Sequence, residues 1–122
     1  MIEERRKHPR IETQLPLKLF AQEADFITQS VNLSCGGVLC EINEYIPVMT
    51  RLKILMLLPG GRKRSQKIEC EGIVVRIEPD QPQNNRNHYR VAIFFNRMKK
   101  TDKAKIAEYV RRQKTDTSSS QS

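Results

Sequence analysis

The chain has no tryptophan, only 3 cysteines and 2 histidines in 122 residues, and no long apolar run. Each shortage removes a class of function. Cys35, Cys40 and Cys70 form no CxxC pair and have no His-x-x-x-His partner, which argues against a disulfide framework and a zinc site; reduced, mostly buried apolar side chains are expected. His8 and His88 lie in polar surroundings, and the acidic residues are scattered without an Asp/His cluster. Neither a positioned base nor a metal-holding set for phosphodiester hydrolysis is expected, so the reading is of a protein that is not an enzyme, with no catalytic residue, metal or cofactor. The longest apolar run, residues 54–58, falls far short of the roughly 20 residues of a membrane-spanning helix. The first residues, Met1-Ile2-Glu3-Glu4-Arg5-Arg6, lack the apolar core of a secretory signal, so the cytoplasm is expected. A chain of this length fills one domain, and large two-domain enzymes are excluded.

What is abundant is positive charge: 22 Lys and Arg against 14 Asp and Glu, a formal net charge of +8. It is local. Residues 1–10 carry four positive and two negative charges, residues 62–67 four positive, and residues 97–114 eight positive and two negative, while the remainder is net acidic. Such blocks suit nucleic acid, anionic lipid or a phosphorylated small ligand, and charge alone does not choose among them.

The hydrophobic pattern is that of strands. Leu15, Leu17 and Leu19 alternate with polar residues, and Pro16 marks an edge or a strand start. Residues 26–31 are rich in β-branched and aromatic side chains, and residues 38–42, 51–58, 67–78 and 89–95 complete six strands. Pro59-Gly60-Gly61 is a turn signal leading into a basic tip, Arg62-Lys63-Arg64, and a polar loop spans residues 79–87. Six strands with short connections predict a mainly β fold, an antiparallel barrel or tightly curled sheet. Thr101-Asp102 reads as an N-cap, and Ala104, Ile106, Ala107, Tyr109 and Val110 lie at helical spacing, so residues 102–112 are expected to form a helix over an open end of the barrel. The division is an N-terminal arm at 1–12, a domain at 13–112 and a Thr/Ser/Gln-rich tail at 113–122 without order.

Two stretches carry more than architecture. Arg5-Arg6-Lys7-His8-Pro9-Arg10 is a basic arm that Pro9 keeps from being helical. By itself it is what a solvated chain start looks like. Asn32-x-Ser34-x-x-Gly37 is a polar corner between two strands, with Gly36 and Gly37 permitting positive φ or close backbone approach. Alone it is a tight turn.

In combination, Arg6-x-x-x-Arg10 in an arm and, about twenty residues later, Asn32-x-Ser34-x-x-Gly37 between strands resemble the PilZ domain family of bacterial cyclic di-GMP receptors. Gly72-Ile73-Val74-Val75-Arg76, Tyr89-Arg90-Val91-Ala92-Ile93-Phe94-Phe95 and the C-terminal helix extend the resemblance over roughly residues 4–112. It implies a six-stranded antiparallel β-barrel with a C-terminal helix and a ligand held between arm and barrel. Guanine presents N7 and O6 as adjacent acceptors that an arginine fork matches, and the phosphates take further guanidinium bonds. The resemblance thus implies that Arg6 and Arg10 bind guanine edges and phosphate oxygens. Asn32 and Ser34 bond the other guanine and the backbone, Gly37 keeps the wall low, and Gly36 belongs to the same ligand-binding corner. In the family an arginine at the position of Arg5 goes with two intercalated ligand molecules per protomer. Where many members carry an aromatic residue against a guanine, this chain has Arg76, whose guanidinium plane can stack instead.

The implied function is a cyclic di-GMP receptor or adaptor, a monomer or weak dimer, that acts on a downstream protein through ligand-induced ordering of its arm. Motility, biofilm, exopolysaccharide and pilus control are all compatible outputs. A less favoured reading is a nucleic-acid-binding barrel using the tip and helix, weakened by having only four Phe and three Tyr. A third is a protein-interaction domain that no longer uses nucleotide.

Overall fold

The computed structural model describes residues 9–60 and 63–121, and their side chains over 9–60 and 65–114. Alternation of apolar and polar residues becomes strands that each bury one face. Strand β1 (Ile11–Glu12) is short, and β2 (Pro16–Phe20) buries Leu17 and Leu19. They are followed by β3 (Asp25–Ser34), β4 (Gly37–Ile42), β5 (Arg51–Gly60), β6 (Lys63–Glu78), β7 (Tyr89–Arg97) and one helix, α1 (Lys100–Gln121). The ladder runs β3-β2-β5-β6-β7-β4 and closes through β4 on β3, every pairing antiparallel. The result is a closed six-stranded barrel, with β1 outside the ring on the edge of β3 that β2 also uses.

Inward residues from every ring strand fill the barrel, among them Leu19, Leu33, Cys40, Met56, Ile68, Val74 and Val91, all essentially inaccessible. Burying each such side chain is worth about 1.5–3 kcal/mol. Gly72 is part of this packing, since a Cβ there would lie 2.5 Å from Ile93 Cγ2 and 2.8 Å from Ile54 Cδ1. The three cysteines are free, and burial pushes the thiols of Cys40 and Cys70 up to about 12.

Four expectations need correction. The corner at 32–37 does not interrupt the sheet: β3 runs through Ser34, because Asn32 and Leu33 pair with β1 on one side and β4 on the other. The arm does not extend to 12, since half-buried Ile11 pairs with Leu33 and Glu12 with Asn32. The helix starts at Lys100, which places Asp102 inside the first turn, and its backbone continues to Gln121; no Gly or Pro follows Lys100 to break it. Residues 113–121, expected to lack order, are therefore helical in backbone. The helix buries Asp102, Ile106, Tyr109 and Val110, a narrower face than expected, with Ala104 and Ala107 exposed. That face packs near β1, β3 and β5, where the Tyr109 hydroxyl lies 3.1 Å from Thr13 Oγ1. Among the described residues no helix is long and apolar enough to cross a membrane.

Candidate functional site

Two bulges decide which residues reach the outer surface of the β3–β4–β7–β6 wall. Along β3 the inward positions Ser30 and Leu33 are three apart, because the register with β4 shifts between Ser30 and Asn32. An uninterrupted strand would turn Asn32 and Ser34 inward with Ser30; the extra residue, Val31, turns them out. The same device operates on β6. Val74 and Ile77 are both buried and three apart, with a register shift between Val74 and Arg76, so Arg76 faces out.

Two rows of residues then cross this wall. One runs Glu12, Asn32, Leu39, Ala92, Arg76 through successive strand pairs. The next runs Ser34, Gly37, Phe94, Ile73. At the usual strand spacing Asn32 and Arg76 stand about 14 Å apart along the first row. Arg10 immediately precedes β1, and continuing the β1–β3 register by one residue sets it opposite Ser34. The structure thus brings Asn32, Ser34, Gly36 and Gly37 to one corner, with Arg10 next in the chain to β1 at its edge and Arg76 across the wall. Arg5 and Arg6 lie outside the described residues.

The corner is stiff. Cys35 and Gly36 form the turn, Ser34 Oγ accepts the Gly36 N–H at 3.1 Å, and the Phe95 N–H donates to the Gly36 carbonyl at 3.0 Å. Ser34 is buried, at 7% exposure, and Asn32 is half-buried. Gly37 has a packing requirement of its own, because a Cβ there would lie 2.4 Å from the Ile93 carbonyl oxygen. Its lack of a side chain lets β4 approach β7 and leaves the outer wall low at the same time.

The base of the arm is fixed by residues the motif reading missed. Ser30 is buried; its Oγ accepts the Leu15 N–H at 2.9 Å and donates to the Thr13 carbonyl. Together with backbone bonds from the Thr13 N–H to the Val31 carbonyl and from the Ser30 N–H to the Leu15 carbonyl, they tie the stretch between β1 and β2 to β3. Phe94 was also missed as a surface residue, although it occupies the polar phase of β7 between buried Ile93 and Phe95.

One row further on, the Glu41 carboxylate accepts hydrogen bonds from Arg90 Nε at 3.2 Å and pairs with His88 Nε2 at 3.1 Å. The Arg90 hydrogen bond, reinforced by His88, holds Glu41 below the usual carboxylate range. An open groove of about 980 Å³ begins at Glu12 and runs past Gln29, Glu41 and Arg90, but no motif residue lines it. Its Glu12 and Val31 lie next to Asn32, so the groove borders the two rows.

Such a wall can hold a flat, anionic, hydrogen-bonding ligand: a rigid backbone corner, an arginine on each flank and a low floor between them. Comparison with known proteins agrees in fold. The family model for the PilZ domain matches residues 4–112. The Bacillus subtilis inhibitor of motility, MotI/DgrA, is similar in structure at a TM-score of 0.78 and 20% identity, covering 92% of this chain and 52% of that one. The chain therefore spans about half the length of that relative. The PilZ domain of CeSA from a cellulose-synthesizing bacterium is similar at a TM-score of 0.60 and 14% identity, covering 87% of this chain and 98% of the other. No curated protein matches the sequence.

Proposed function

Because the chain belongs to the PilZ domain family, a family of cyclic di-GMP-binding adaptor domains, we propose that it is a cyclic di-GMP receptor without catalytic activity of its own. The observation that supports this reading is the β1–β3 register, which pairs Ile11 with Leu33 and Glu12 with Asn32, so that its continuation by one residue would set Arg10 toward the Asn32–Ser34 corner. Arg6 and Arg10 take guanine edges and phosphate oxygens, Asn32 and Ser34 take the second guanine and the backbone, and Arg76 closes the far side. Arg5 extends the arm's contact to a second ligand molecule, giving two per protomer.

The signal follows from mechanics. Ligand fixes residues 1–10 against the wall, and the new surface of arm, ligand and barrel is what a downstream protein reads. Ile11 and Glu12 already pair with β3 at the wall's edge, so the base of the arm is held in place independently of the ligand.

Isothermal titration calorimetry tests the reading. The parent is expected to bind cyclic di-GMP with two molecules per chain and to prefer it to GTP and cyclic GMP. A charge-assisted fork contributes roughly 1.5–3 kcal/mol, so Arg10→Ala should weaken binding about ten- to a hundredfold. Equal affinity in parent and variant would remove Arg10 from the site, and one molecule per chain would remove the role of Arg5.

A further inference from the structure

Phe94 is unusual for its position. Its side chain points outward from β7 and is 53% exposed, while Ile93 and Phe95 on either side are buried. Among the described residues Phe20, Ile27 and Leu57 are exposed large apolar residues elsewhere, while Val75 lies at the β6 bulge and Val48 and Met49 on the loop beside it. The Met49 N–H donates to the Val74 carbonyl at 2.7 Å, which brings the 47–50 loop against that bulge, and Phe94 pairs directly with Ile73.

The neighbours of the ring on its other side are small. Gly37 is its partner on β4 and has no side chain; Ala92, the next outward residue on β7, has only a methyl group. A shallow trough results, floored by Gly37, Leu39 and Ala92, with Ser34 on one side and Phe94 about 10 Å away on the other, two strand spacings. Arg10 and Arg76 stand at its margins.

Building on the cyclic di-GMP reading, we propose that Phe94 is a stacking platform for one guanine of the ligand, in place of the aromatic residue that Arg76 replaces. The trough supplies what a purine needs: an aromatic face beside it, a floor low enough for a flat ring, and cations at the edges for phosphates and base acceptors. The trough suits the base and not a protein segment, because the apolar ring is continuous with the polar corner that would bind the rest of the same molecule.

The absence of tryptophan makes the test clean, since Phe94→Trp introduces the only indole in the chain. Phe94 lies on the surface, and a thermal melt of each variant checks that the barrel is intact. Losing one base stack should weaken cyclic di-GMP binding about 5- to 150-fold in Phe94→Ala. Phe94→Trp should keep the parent's affinity within a few-fold and show its emission change on saturation with cyclic di-GMP. If Arg10→Ala loses affinity while Phe94→Ala matches the parent and the Phe94→Trp emission stays constant, the platform is wrong and the receptor reading stands. If the parent itself does not bind, both fall.

Discussion

The wall of β3, β4 and β7 and the basic segment formed by the β5–β6 tip and α1 differ in a way that charge counting inverts. The tip and helix hold most of the excess positive charge, +4 over residues 62–67 and +6 over 97–114. Along the helix some of the cations are paired locally: Lys105 lies 3.6 Å from Asp102, and Arg111 and Arg112 pair with Glu108. Such exposed pairs each contribute about 0–1 kcal/mol and do not converge on a common point. The wall carries fewer charges, yet Arg10 and Arg76 flank a corner with a rigid backbone, and among the described residues neither is drawn into an ion pair. Recognition depends on where a few guanidinium groups are aimed, not on how many there are.

The largest expected difference between the two regions is in ligand affinity. Arg10→Ala should cost about ten- to a hundredfold in cyclic di-GMP binding with little change in melting temperature. Ser30→Ala should act on both properties. It leaves the Leu15 N–H and the Thr13 carbonyl without their buried partner, costing about 1–3 kcal/mol in chemical unfolding, and it loosens the base of the arm. Affinity should therefore fall along with stability; unchanged affinity would separate the β1–β2 junction from the site. Tyr109→Phe removes the hydroxyl contact between the helix and Thr13 at that junction, and a loss of about 0.5–1.5 kcal/mol is expected by the same unfolding measurement.

A smaller effect should appear on acidification. The Glu41 carboxylate is held below its ordinary range by the Arg90 hydrogen bond and by His88, so its contribution is present above the unfolded carboxylate value and lost as pH falls through the folded one. Because Glu41 is partly exposed, that contribution is below about 1 kcal/mol. Glu41→Gln should flatten the fall in melting temperature below about pH 4.5. The smallest effect belongs to the basic segment: Lys103→Gln with Lys105→Gln should leave cyclic di-GMP affinity within about twofold, because surface charges of this kind act through a screened field. A tenfold loss there would overturn the contrast.

The barrel was legible in the sequence wherever a strand keeps a strict alternation. Leu15, Leu17 and Leu19 announce β2, and residues 51–58 announce β5, since burial of one face imposes period two. What was not legible was the phase. The pairing of Asn32 and Ser34 with the outer surface depends on the bulge at Val31, and that of Arg76 on the bulge at Val75. A bulge is settled by the register of the neighbouring strands, which a single strand's residues do not encode. The motif residues could be named in advance, but their convergence could not. For the same reason Phe94 passed as one more apolar residue in 89–95, and the pairing of Ile11 and Glu12 with β3 was hidden in a polar arm. The helix was recognised by its spacing, whereas its true extent reflects the lack of a stop signal after Arg112.

The central claim is that the register of β1 on β3 makes Arg10 and the Asn32–Ser34 corner one binding site for cyclic di-GMP. A calorimetric double-mutant cycle of Arg10→Ala with Asn32→Ala measures it most directly. Shared contact with one ligand predicts a coupling of about 0.5–3 kcal/mol between the two substitutions, with each single variant weakened at least about tenfold. Full additivity, or full affinity in either single variant, would contradict it.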